Sequence, residues 1–124
     1  MMKNILLVGA GGGLGSIARY LCQRWFMFYY PHSIPWGTFG VNAVGCLLIG
    51  IFWGLSFKSF EDNENWKLFL MTGLCGGFTT FSAFTLESIA LVKEQRLGLF
   101  FSYVLASVVI CLAATYAGMK ISRL

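Results

Sequence analysis

The residues best suited to chemistry in this chain fall in one run, Thr72-Gly73-Leu74-Cys75-Gly76-Gly77-Phe78-Thr79-Thr80-Phe81-Ser82-Ala83-Phe84. It lies within a stretch, residues 68 to 86, that carries no formal charge. Adjacent glycines followed by two β-branched threonines are weak helix formers, so the pattern predicts that a helix here comes apart. Irregular backbone at membrane depth is tolerated only inside protein or beside a cavity, and carbonyl oxygens freed by unwinding coordinate hard cations such as Na⁺. The alternative is an unbroken helix whose glycines allow tight packing. Phe81 and Phe84 stand three residues apart and share a helix face. Aromatic pairs of this kind ordinarily pack, yet ring edges are electropositive, and two rings presented edge-on would solvate a small anion without a full positive charge.

Other polar residues are spaced by one helical turn. Thr38 and Asn42 fall on one face, either as an interhelical hydrogen-bonding pair worth roughly 0.6–2 kcal/mol or as donors facing a water-filled path. Ser107, Cys111 and Thr115 repeat the step, either bonding their own helix carbonyls or forming a ladder of donors. Glu87 is the one acid inside the apolar spans, a functional candidate by position or a partner for Arg19.

Several familiar chemistries are excluded. Gly13-Leu14-Gly15-Ser16-Ile17-Ala18 matches a dinucleotide-binding turn, but that motif needs an acid roughly 20 positions on, and the first acid is Glu61. No enzyme is expected. Cys22, Cys46, Cys75 and Cys111 have neither metal nor redox spacing and read as free thiols. The net charge of +4 comes from residues placed singly at span ends, so no nucleic-acid surface is expected.

The elements that must position these residues follow from charge and hydropathy. The chain is 57% hydrophobic and only 11% charged, against roughly 25% charged in soluble domains, and its mean hydropathy is +0.72. Residues 33 to 57, 68 to 86 and 97 to 119 are free of formal charge, each near the roughly 20 residues a membrane helix needs. A fourth run, Asn4 to Ala18, continues past Arg19, which must reach an interface or aqueous vestibule. Its Lys3 and Ser16-Ile17-Ala18 also fit a secretory signal, but three more spans follow. The expectation is one all-α integral membrane domain over residues 1–124, with spans at about 4–25, 34–57, 66–92 and 98–120. Pro31, Pro35 and the charged runs Lys58 to Asn65 and Lys93 to Arg96 fall in the connections. Trp25, Trp36 and Trp66 fall at span ends, where their amphipathic rings favour the interface.

Four spans place Lys3, Lys58, Lys67, Lys120 and Arg123 on one side, and Arg19, Arg24, Lys93 and Arg96 on the other. Five positives against four is almost no orientation bias, which favours insertion both ways and an antiparallel dimer. Small residues at four-residue spacing, Gly9/Gly13, Gly11/Gly15, Cys46/Gly50/Gly54 and Ser107/Cys111/Thr115, suit close helix approach and point to dimerisation.

Taken together, Gly12 to Arg19, Gly37-Thr38 with Asn42 and Gly45, and above all Gly76 to Phe84 resemble the CrcB/Fluc family of fluoride channels over nearly the whole chain. The resemblance implies an antiparallel dual-topology homodimer in the cell (inner) membrane, four helices per subunit with a broken third helix, exporting fluoride passively. It implies a structural Na⁺ on the backbone carbonyls of Gly76 and Thr79 from both subunits. Phe81 and Phe84 would line the pores, Asn42 would donate to the ion, and Ser107, Thr115, Thr38 and Ser82 would add polar pore contacts. Arg19 would stand by the vestibule. Ala83 departs from a hydroxyl common in the family, and Tyr103 from an Asn. The main rival is a small dual-topology proton-coupled multidrug exporter, which needs an acid in its first span, and this chain has none there; a second is a non-transporting accessory subunit.

Overall fold

The computed structural model describes residues 1–30, 34–58 and 62–123, which form helices and connections with no strand among them. Helix α1 is Met2–Tyr29 and α2 is Trp36–Ser56. The next segment is composite: α3 Glu64–Lys67, a π-helical stretch Leu68–Cys75, α4 Gly76–Phe78 and α5 Phe81–Lys93. Helix α6, Leu97–Arg123, closes the chain. Four segments are long and apolar enough to cross a membrane, Met2–Tyr29, Trp36–Ser56, Glu64–Lys93 and Leu97–Arg123, so the chain is a multi-pass membrane protein. The helical segments of the first, third and fourth spans overrun the expected boundaries, because helix continues into the headgroup region at little cost. Pro31, expected as a breaker, and residues 59–61 of the next connection lie outside the described residues.

The reversal between α5 and α6 is shaped by its backbone, with Arg96 and Glu94 paired at 3.7 Å on its surface. Gln95 adopts a left-handed φ of 59°, which lets its N–H bond the Val92 carbonyl at 3.0 Å and the Arg96 N–H bond that of Leu91 at 2.9 Å. This paired bonding satisfies the orphan carbonyls at the end of α5.

Two seams hold the bundle. In the first, α1 lies on the π-helical stretch and α4: a side chain at Gly73 would stand 2.9 Å from the Gly11 Cα, and one at Gly15 would strike the Leu74 carbonyl. In the second, α2 meets α6, with Gly50 on the Thr115 carbonyl, Gly54 on Ser122 and Gly118 on that of Leu47. Higher numbers on α2 meet higher numbers on α6, so these helices run parallel. The small-residue stripes expected to serve dimerisation are therefore largely spent inside the chain. Helices in lipid gain no hydrophobic drive from meeting and depend on close packing, which the chain's own seams require first. Gly9 and Gly13 alone of those glycines face open space.

Between α4 and α5, Thr79 (φ −83°, ψ 157°) and Thr80 (φ −147°, ψ 114°) are extended. Gly76, by contrast, is helical at φ −61°, ψ −39°. The sequence placed the weakness on the paired glycines. The glycines instead serve contact, Gly77 lying on the Gly12 carbonyl, and the β-branched threonines, which suit extended backbone, take the irregular dihedrals.

Candidate functional site

The extended pair is held by side chains. Thr80 caps α5 with its own hydroxyl, which accepts from the Ala83 N–H at 3.1 Å. Asn42, one turn inside α2, takes both sides of the Thr80 peptide: its Oδ1 accepts the Thr80 N–H at 2.7 Å and its Nδ2 donates to the Thr80 carbonyl at 3.0 Å. Arg19 donates Nε–H to the Gly77 carbonyl at 3.0 Å.

This pattern leaves the last carbonyls before α5 without their usual helical donors. In a continuous helix, Gly76 would accept from Thr80 N–H and Thr79 from Ala83 N–H. Both N–H groups are diverted, to Asn42 and to the Thr80 hydroxyl. Gly77 and Thr80 are occupied by Arg19 and Asn42. The oxygens of Gly76, Phe78 and Thr79 are thus the ones released, and hard carbonyl oxygens suit a hard cation.

Beside them lies a cavity of about 440 Å³, bordered by Asn42, Gly76, Thr79, Phe81, Phe84, Ser107 and Thr115 together with apolar residues and three thiols. Among the described residues no Lys, Arg, Asp or Glu borders it. Phe81 and Phe84 stand with ring centroids 5.7 Å apart, tilted by 38°, and Phe84 leans on Tyr103 at 5.2 Å. The Ser107 hydroxyl is buried and has no hydrogen-bond partner. A buried hydroxyl normally finds one, so it is available to something entering the cavity.

The remaining expected residues lie elsewhere. Ser82 is exposed, its hydroxyl 3.3 Å from that of Thr80, and it borders neither this cavity nor the next, nor does Arg19. Thr38 lines a second cavity of about 430 Å³ on the other face of α5, with Gln23, Ala83 and Glu87. There Thr38 donates to Glu87 Oε1 and accepts from Gln23 Nε2 at 3.2 Å, while Tyr103 Oη donates to Glu87 Oε2 at 3.1 Å. Glu87 is therefore held by hydroxyls and not by Arg19, which is turned to the Gly77 carbonyl. Gln23 and Tyr103 were missed as site residues. The signal for Gln23 was its amide, one turn past Arg19 in an apolar span; that for Tyr103 was only its phenol.

The arrangement gathers hydroxyls, an amide with one N–H to spare, two phenylalanine rings and freed carbonyls around one cavity.

Comparison with known proteins places the chain among relatives. The family model for "CrcB-like protein, Camphor Resistance (CrcB)" matches residues 6–119. The chain is 44% identical over 122 residues, 98% of each chain, to the fluoride-specific ion channel FluC of Agrobacterium fabrum. It is 43% identical to that of Flavobacterium psychrophilum, again over 98% of both, and 43% identical to that of Phocaeicola vulgatus over 98% of this chain and 100% of the relative. Matches of this identity running nearly end to end leave one assignment: the chain belongs to the CrcB family.

Proposed function

We propose that this protein is a fluoride-selective channel that lets fluoride leave the cell passively across the inner membrane, working as an antiparallel homodimer with a structural Na⁺. The observation that carries the reading is the gathering of Asn42, Phe81, Phe84, Ser107 and Thr115 around one cavity with no charged side chain. Fluoride is small and strongly hydrated, so a pore must replace its water with short-range donors while binding weakly enough to release it. Amide N–H, hydroxyls and ring edges meet both demands, and a lysine in the wall would trap the ion. The relatives named fluoride-specific ion channels support the choice of ion.

The dimer is supported by what a single copy leaves uncovered. Gly76, Ser82 and Phe81 are exposed, Phe81 by 77%. Free carbonyls facing lipid cost several kcal/mol each. A second, inverted copy crossing at Thr79–Thr80 would cover them, and the near-equal distribution of positive residues favours both orientations. The Gly76 and Thr79 oxygens of both copies would hold the Na⁺, which supplies a fixed positive centre when bound.

The test is fluoride release from liposomes containing the purified protein, followed with a fluoride-selective electrode. Rapid release driven by the fluoride gradient alone, with chloride retained, is expected. Release that requires an imposed proton gradient would replace this reading with a proton-coupled exporter.

A further inference from the structure

Three of the four cysteines, Cys46, Cys75 and Cys111, border the first cavity, and the proposed conduction uses none of them. Two of the three face each other across the parallel seam. Gly50 rests on the Thr115 backbone, and one helical turn earlier on each helix stand Cys46 and Cys111. Their thiols are close enough to interact. Both residues are partly exposed, whereas Cys75 is buried, so cavity water reaches this pair. Among the described residues no group of three or more His, Cys, Asp or Glu is placed to hold a metal. That excludes a structural zinc site, which needs four ligands, and leaves cations content with two sulfurs, which are soft and thiophilic.

We propose that Cys46 and Cys111 form a two-thiolate site for a soft cation, best matched by Hg(II). Each thiol loses its proton to cavity water, and each sulfur makes one bond to the metal. A divalent ion with two thiolates is neutral, so no net charge is stranded among apolar walls, where an unpaired charge is costly. A monovalent soft ion such as Ag(I) leaves one negative charge, and no Lys or Arg borders the cavity to offset it. Hg(II) is also content with two sulfur ligands, the number that this pair supplies. The site's effect on transport rests on the conduction reading: bound metal would stand one turn from both Asn42 and Ser107, in the ion's path.

The test titrates HgCl₂ into the full, reduced protein in detergent with an equimolar monothiol as competitor. Binding is read from thiolate-to-mercury charge-transfer absorbance and from the metal that co-elutes on gel filtration. One mercury per chain is expected in the wild type and in the Cys22→Ser, Cys75→Ala double variant, and none in Cys46→Ala or Cys111→Ala. Cys46→Ser keeps the side chain's size and carries the test if the alanine variant does not elute as the wild type. Retention unchanged in these variants, or absent from the wild type, overturns the site. In liposomes, Hg(II) should stop fluoride release and excess thiol should restore it. Metal retained stoichiometrically with undiminished release would uphold the thiolate pair and count against the cavity as the conduction path.

Discussion

Toward the C-terminal ends of α2 and α6, polar groups are satisfied close to home, whereas at Thr79–Thr80 they depend on distant parts of the chain. Ser56 donates to the Trp53 carbonyl at 2.6 Å and Ser122 to the Met119 carbonyl at 3.1 Å, each three residues back. At the extended pair the partners are Asn42 and Arg19, separated by 38 and 58 residues from the backbone they bond. A continuous helix consumes its own carbonyls and serves as a wall. An interrupted one must be completed from outside, and whatever is left incomplete becomes available to ions. Ser107, farther back on α6, is a buried hydroxyl without a partner among the described residues, and it borders the cavity beside the extended pair.

The sharpest way to break this contrast is Gly50→Leu, since its Cβ would meet the Thr115 carbonyl. Overpacking costs about 1–3 kcal/mol, sometimes more, and here the obstacle is backbone that cannot rotate away. The variant should fail to elute as a single species on gel filtration, while Gly9→Leu, in open space, should elute like the wild type. Next in size is Asn42→Leu, which strands the Thr80 N–H and carbonyl at about 1–3 kcal/mol each. Its melting temperature should fall and fluoride release should drop well beyond tenfold. A variant that melts normally would show that Thr80 finds other partners. Phe81→Ile and Phe84→Ile remove ring edges but no hydrogen bond, so release should fall about tenfold, or about 1.4 kcal/mol of barrier, with elution unchanged. Full-rate release would remove the rings from the ion's path. The smallest effect belongs to Ser107→Ala. Its hydroxyl has no partner to lose, so stability should hold within about 0.5 kcal/mol while release slows severalfold; a change in stability alone would make Ser107 a packing residue.

Charge-free runs made the four membrane segments legible, because length and hydropathy are local properties. The run from Thr72 to Phe84 was also legible as the unusual stretch. Which of its residues leave helical geometry was not, since that depends on Gly77 lying against Gly12 and on Asn42 arriving from α2. Asn42 itself was visible as a polar residue in an apolar span, and its spacing from Thr38 suggested a shared role. The structure separates them: Asn42 grips Thr80 beside one cavity, and Thr38 joins Gln23 and Glu87 beside the other. A helix face defined by spacing does not say which neighbour covers each turn. Of the glycine stripes assigned to dimerisation, Gly11/Gly15 and Gly50/Gly54 pack within the chain while Gly9/Gly13 stay open, because spacing is the same whether the second helix is in the chain or in another copy.

The interruption at Thr79–Thr80 also divides one long dipole into two. Peptide dipoles sum to roughly half an elementary charge at each helix end, positive at the start and negative at the finish. Because only Thr79 and Thr80 separate the end of α4 from the start of α5, the two halves meet inside the third span with opposite ends facing. The finishing end gathers negative potential at the Gly76 and Thr79 oxygens, and the starting end projects positive potential past Phe81. One polypeptide step thereby turns a negative and a positive helix end toward the same region, a polarity that comes from the backbone itself.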